Sequence, residues 1–161
     1  MAVRDAKFVD IPGIVEVMRR ALDRSIYKDT GTFDEADSKQ MLLQALHRHG
    51  HTNIGGSLVL VSEDSDGEIT GFIIGALDTV YPGLKELMAT DLLFILDENA
   101  APRDATKMLK RLVEWAQSCA KCIEIHLGVN GAISDYERVG KLYERFGFKR
   151  CGAMYRWGID R

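Results

Sequence analysis

Thr90-Asp-Leu-Leu-Phe-Ile-Leu96, then Asp97-Glu-Asn-Ala-Ala-Pro-Arg-Asp104, then Ala105 through Ala116, is the stretch that decides the fold. An apolar run of strand length meets a polar segment holding Pro102, and a helix follows. The helix is read from Ala105, Met108, Leu109, Leu112, Val113 and Ala116, which fall at i, i+3, i+4, i+7, i+8 and i+11. Lys107, Lys110, Arg111, Glu114 and Gln117 take the opposite face, so one apolar stripe packs and one charged face is solvated. Pro102 suits a first helical turn, where a missing N–H costs nothing. A buried strand that delivers its carboxyl end to a helix N-terminus makes an anion site, because unpaired N–H groups and the helix dipole point the same way.

Upstream, Val3-Arg-Asp reads as a first strand, and Asp10 is placed to cap a helix carrying Ile11, Ile14, Val15, Met18 and Leu22. The loop Tyr27–Asp34 follows, and Thr32 with Glu35 has capping-box spacing before a second helix with Leu42, Ala45, Leu46 and His49. Leu58–Ser62 and Ile69–Leu77 are strands joined at Asp64-Ser-Asp-Gly67, a strong hairpin signal. Downstream, Cys122–Gly128 is a strand with Ile123, Ile125 and Leu127 on one side and Cys122, Glu124 and His126 on the other. Ser134-Asp-Tyr-Glu137 has capping-box spacing before a helix carrying Val139, Leu142, Tyr143 and Phe146, which Gly147 closes. Met154–Ile159 is read as a last strand. The order β-α-α-β-β-β-α-β-α-β makes an α/β chain around a mixed sheet.

The 161 residues form one expected domain, 1–161, long enough to bury roughly 70% of the unfolded surface. A net charge of −3 gives no support for a nucleic-acid surface. No apolar run reaches membrane-spanning length and the N-terminus lacks a signal-peptide core, so a cytoplasmic protein without a membrane partner is expected. Cys119, Cys122 and Cys151 read as reduced thiols, because the Cys119-Ala-Lys-Cys122 pair ends a helix rather than starting one. His47, His49 and His51 read as polar groups complementing a helix end. No metal is expected.

The element order, together with Lys141-Leu-Tyr-Glu-Arg-Phe-Gly-Phe148, resembles the GNAT family of acyl-CoA-dependent N-acyltransferases. Arg4–Asp10 with Ile14, and Leu112-Val-Glu-Trp-Ala116, are similar to that family's first strand and helix and to its central helix. The likeness extends over nearly the whole chain, and compact members encoded by tailed phages and prophages look closest. It implies a mostly antiparallel twisted sheet with flanking helices, with the strands near Leu93 and Ile125 parallel and splayed at their carboxyl ends. It implies acetyl-CoA as donor and an amine, small-molecule or protein, as acceptor, and it allows a homodimer.

The resemblance further implies that Phe94, Ile95 and Leu96 offer backbone to the pantetheine arm, and that residues 103–107 receive the pyrophosphate. Three positions of the family's phosphate loop fall on Ala100, Arg103 and Ala105, and only Ala105 fits. Arg103 stands where glycine is usual, and its Cβ restricts close approach to phosphate. Asp104 adds an anion at the same helix start, whereas Arg103 and Lys107 bring cations, with Thr106 between them. Tyr143 matches the family's proton donor, on a helix stripe that also packs. Asp91 is the leading carboxylate for the base and shares a face with Leu93 and Ile95 by alternation. Glu124 and His126 are the rival bases. Glu137 is read as a capping partner. Two functions stand side by side: an acetyltransferase, or a non-catalytic GNAT-shaped binding or structural module, phage-associated, with a degenerate donor loop. The Ile26–Asp37 and Tyr81–Met88 loops are expected to shape the acceptor pocket.

Overall fold

The computed structural model describes residues 2–129, 131–132 and 135–160. Strands β1 (Ala2–Asp5), β2 (Ser57–Glu63), β3 (Ile69–Thr79), β4 (Leu87–Leu96) and β5 (Cys122–His126) form one sheet in the order β1-β2-β3-β4-β5. The first four are antiparallel, and β5 joins β4 in parallel through α3 (Asp104–Ser118). Helices α1 (Ile11–Arg24) and α2 (Glu35–His47) cover one face, and α3 covers the other. Helix α4 (Tyr136–Phe146) follows β5.

Burial on both faces explains why β2 and β3 read as near-continuous apolar runs. Val59, Val61, Phe72 and Ile74 pack against Ile14, Val17 and Leu42. Leu58, Leu60, Ile73 and Leu77 pack against Met108, Leu112 and Trp115. Gly75 lets α3 approach closely, since a Cβ there would lie 2.6 Å from Leu112 Cδ1 and 3.3 Å from Trp115 Cζ3. Gly75→Val is expected to cost about 1–3 kcal/mol by forcing α3 outward, read as a lower midpoint in thermal or urea unfolding.

Several local expectations are corrected. The α1 cap position is Asp10, but its carboxylate accepts from the Arg4 guanidinium (2.8 and 2.9 Å) and from Lys7 N–H (2.7 Å) rather than from the helix. Asp34, not Thr32, caps α2 by accepting from Asp37 N–H at 2.9 Å. Asp135 caps α4 through Glu137 and Arg138 N–H, while Ser134 lies outside the described residues. Met154–Ile159 forms no strand, because no backbone among the described residues pairs with it, and its apolar side chains face solvent. The Asp64–Gly67 turn is as expected, with Asp64 Oδ1 accepting from Asp66 and Glu68 N–H and Gly67 at φ 83°.

Candidate active site

Strands β4 and β5 pair only from Leu87↔Cys122 to Thr90↔His126. Beyond Thr90, β4 runs on to Leu96 with no β5 partner, so the two parallel strands splay at their carboxyl ends. Asp91 stands where they part. Its Oδ1 accepts from Gly128 N–H at 3.0 Å, a bond across the gap between the two strands' extensions. A cavity of about 410 Å³ opens there, walled by Asp91–Leu96 of β4, by Ala105, by Gly128 and Val129, and by Val139, Leu142 and Tyr143 of α4.

A bulge sets which way Asp91 faces. Gly75 lies opposite Asp91 and Ile74 opposite Leu93, leaving Leu92 without a cross-strand partner. One extra residue reverses the alternation. Asp91 therefore lies on the α3 face with Leu87 and Ala89, whereas Leu93 and Ile95 pack toward α1 and α2. The expectation that Asp91 shares a face with Leu93 and Ile95 is wrong for this reason. The signal in the sequence was Gly75 itself, since a glycine inside a strand marks bulges and close approaches.

A second bulge reorders β5. Ile123 is unpaired and exposed, while Cys122, Ile125 and Leu127 pack toward α3. Glu124 and His126 pair with Met88 and Thr90 on the opposite face from Cys122 and Ile125, and His126 Nε2 lies 2.6 Å from Glu124 Oε2. Neither lines the cavity that holds Asp91 and Tyr143.

Tyr143 is buried at 7% exposure and packs on Phe148, with ring centroids 5.9 Å apart. Its hydroxyl has no hydrogen-bond partner among the described residues. Burial, and secondarily the nearby Asp91 charge, push the phenol well above its ordinary pKa, so it stays protonated. Burial likewise raises the Asp91 carboxyl, a shift that the Gly128 N–H partly opposes. A carboxyl poised upward and a neutral phenol thus share one cleft.

The loop from β4 to α3 is held by residues far away in sequence. Asp97 is clamped by Arg20 Nε at 2.9 Å and by Arg24 Nη1 at 3.1 Å, both from α1, and Arg24 also donates to the Leu96 carbonyl at 3.3 Å. Sequence reading missed this clamp, and no local pattern announces it. Within the loop, Ala100 N–H is bonded to Asp97 O and Asp104 N–H to Ala101 O, and Pro102 has none to give. Arg103, Thr106 and Lys107 are exposed at the start of α3, and Ala105 borders the cavity. Asp104 is fully buried, and neither carboxylate oxygen has a hydrogen-bond partner among the described residues. The Lys107 ammonium is 3.7 Å away.

A second cavity, about 440 Å³, lies between α1 and α2, lined by Leu22, Tyr27, Phe33, Asp34 and Asp37 among others. Ile26 N–H donates to Ala132 O at 3.0 Å, which ties this loop to the segment after β5. Two of the histidines and Cys119 are engaged elsewhere. His49 Nδ1 accepts from Val59 N–H at 2.9 Å, His47 meets the Phe8 ring at a tilt of 56°, and the Cys119 thiol donates to Thr52 O at 2.9 Å. Among the described residues no helix is long and apolar enough to cross a membrane.

The chain matches solved structures over nearly its whole length. The glucosamine-6-phosphate N-acetyltransferase of Arabidopsis thaliana aligns at 12% identity over 99% of this chain and 98% of that one, with a TM-score of 0.70. An aminoglycoside 6′-N-acetyltransferase of Acinetobacter haemolyticus aligns at 13% identity over 100% and 99%, TM-score 0.69. A transcriptional regulator of Bacillus halodurans aligns at 14% identity over 98% and 99%, TM-score 0.71. No protein-family model and no curated protein matches the chain. The fold, a five-stranded mixed sheet with flanking helices, is that of the GNAT acetyltransferases.

Proposed function

We propose that the whole chain, 1–161, acts as one N-acyltransferase domain that moves an acetyl group from acetyl-CoA directly to a primary amine of a small molecule or protein. The observation that carries this reading is the cleft at the parting of β4 and β5, with Asp91 and Tyr143 in its wall. Along Phe94–Leu96, β4 has backbone groups on the β5 side that no strand pairs among the described residues, those of Phe94 and the Leu96 N–H, while the Leu96 carbonyl is held by Arg24. An extended arm with amide groups, such as pantetheine, can take those bonds as an added strand would. Arg103, Thr106 and Lys107, with the N–H of Ala105, are the groups left for phosphate at the α3 N-terminus.

Asp91 is the proposed base and Tyr143 the proposed acid. As the amine nitrogen forms its bond to the thioester carbonyl carbon, Asp91 takes the amine proton. As the carbon–sulfur bond breaks, Tyr143 protonates the departing sulfur, and solvent resets both groups. Glu124 and His126, on the other sheet face and outside the cavity, are less well placed to act as the base. The Tyr27–Asp37 cavity, with two aromatic rings and two carboxylates, suits a cationic acceptor. The free thiols fit a cytoplasmic setting.

One observation favours the non-catalytic part of the second reading, a binding or structural module. The phosphate loop has spent two of its N–H groups internally and carries Asp104 at its helix start. Acetyl-CoA is expected to raise the thermal midpoint of the wild-type chain, since binding to the native state stabilises it. Arg103→Ala is expected to weaken binding by about 1.5–3 kcal/mol, the worth of one charge-assisted contact, measured by calorimetry. No midpoint shift and no binding heat for wild type would sink the transferase and leave the module.

A further inference from the structure

We infer that Arg24, in the last turn of α1, holds the phosphate that ends the donor's pantetheine arm, a contact that supplements the depleted loop between β4 and α3. The inference rests on the acyltransferase reading above. Its starting point is the Leu96 carbonyl. Asp97 N–H bonds to Thr70 O of β3 at 2.8 Å, so the carbonyl of the same peptide unit points to the opposite, open side of β4. Arg24 Nη2 reaches that carbonyl at 3.3 Å, while Nη1 grips Asp97 Oδ1 at 3.1 Å. The guanidinium therefore stands at the end of the open edge, with N–H groups to spare beyond these two bonds.

The arm leads a phosphate to this point. With its thioester beside Asp91 and Tyr143, an extended arm bonded along Phe94 and Leu96 runs toward the carboxyl end of β4, and the phosphate follows its last amide. The loop after β4 is poorly equipped to hold it. The N–H groups of Ala100 and Asp104 are bonded within the loop, Pro102 has none, and the Asp104 carboxylate is buried at the helix start.

Fastening the loop does not require Arg24. Arg20 already places both Nε, at 2.9 Å, and Nη2 on Asp97 Oδ2, and the Asp97 side chain is 7% exposed. Among the described residues Asp97 is the one carboxylate within ion-pair distance of Arg24. Two guanidinium groups thus share one carboxylate at the end of β4. Glu16, 3.7 Å from Arg20, lies on the exposed side of α1 and is shared with Arg19. The Arg24 side chain is 28% exposed, so its spare charge is open to a ligand, and a planar guanidinium fits phosphate oxygens two at a time.

Calorimetry with three donors separates contact from fastening. Acetyl-phosphopantetheine and acetyl-pantetheine differ only in the phosphate, and acetyl-CoA adds the nucleotide. Arg24→Gln is expected to weaken acetyl-CoA and acetyl-phosphopantetheine by about 10–100-fold, and acetyl-pantetheine by less than about threefold. Arg24→Lys keeps the charge without the fork and is expected to recover part of the loss. If circular dichroism shows the glutamine variant unfolded, the lysine variant carries the test, with the same selectivity at smaller size. An equal loss for all three donors would make Arg24 a fastener of the loop and overturn the inference, and so would no loss for any. Wild-type affinity that is the same with and without the phosphate also overturns it, while the acyltransferase reading stands. Wild type that binds none of the three sinks that reading and this inference with it.

Discussion

Tyr143→Phe is expected to lower acetyl transfer by about 10²–10⁴-fold at nearly constant acetyl-CoA affinity. Packing and proton donation make different demands on this side chain, and the substitution separates them. The ring stays against Phe148, and no hydrogen bond among the described residues is lost with the hydroxyl, so α4 keeps its seat. What is lost is a phenol that burial and the Asp91 charge keep protonated. A proton donor acts in the transition state, so its removal shows in kcat and leaves donor binding alone. A panel of amines with detection of the released thiol supplies the assay. Turnover within a few-fold of wild type, alongside intact donor binding, would strike Tyr143 from the catalytic list and leave it a core residue.

The parts of this molecule that were legible in its sequence are those set by short-range periodicity. The α3 stripe from Met108 to Ala116, the Asp64–Gly67 hairpin and the Gly147 terminus depend on neighbours within a turn or two, and the structure places them as read. The parallel pairing of β4 with β5 followed from the helix between them. The site was harder because single-residue insertions decide it. Leu92 and Ile123 each shift a strand by one position, and that moves Asp91 to one sheet face and Glu124 and His126 to the other. Strict alternation cannot carry a bulge. The Asp97 clamp joins residues more than 70 positions apart, and the burial of Asp104 depends on how α3 lies on the sheet. Met154–Ile159 has the composition of a strand, but a strand needs a neighbour, and none among the described residues pairs with this segment.

Asp91→Asn is expected to lower turnover by about 10²–10⁴-fold and, at the same time, to raise thermal stability at neutral pH. The two effects have one origin. Asparagine keeps an oxygen able to accept from Gly128 N–H, so the bond across the parting of β4 and β5 is preserved. It cannot take the amine proton, so the base is gone. The stability effect follows from the raised pKa of the native carboxyl, caused chiefly by burial. A carboxyl whose folded pKa exceeds its unfolded value binds more protons in the native state across that interval. Stability therefore falls as pH rises from the unfolded value through the folded one, and stays lower above it. The neutral amide escapes that loss. The variant should melt above wild type at neutral pH, and the gap should close as pH drops below about 3.9, the ordinary value for aspartate. Wild-type kcat/KM should climb with pH through the raised Asp91 pKa, and the variant should lack that limb. A variant that gains stability yet keeps turnover would make Asp91 a buried structural carboxylate and return the base to positioned water, Glu124 or His126. A variant that loses both would mean the amide cannot hold the Gly128 bond, and a pH profile of donor binding would then show whether the cleft itself had closed.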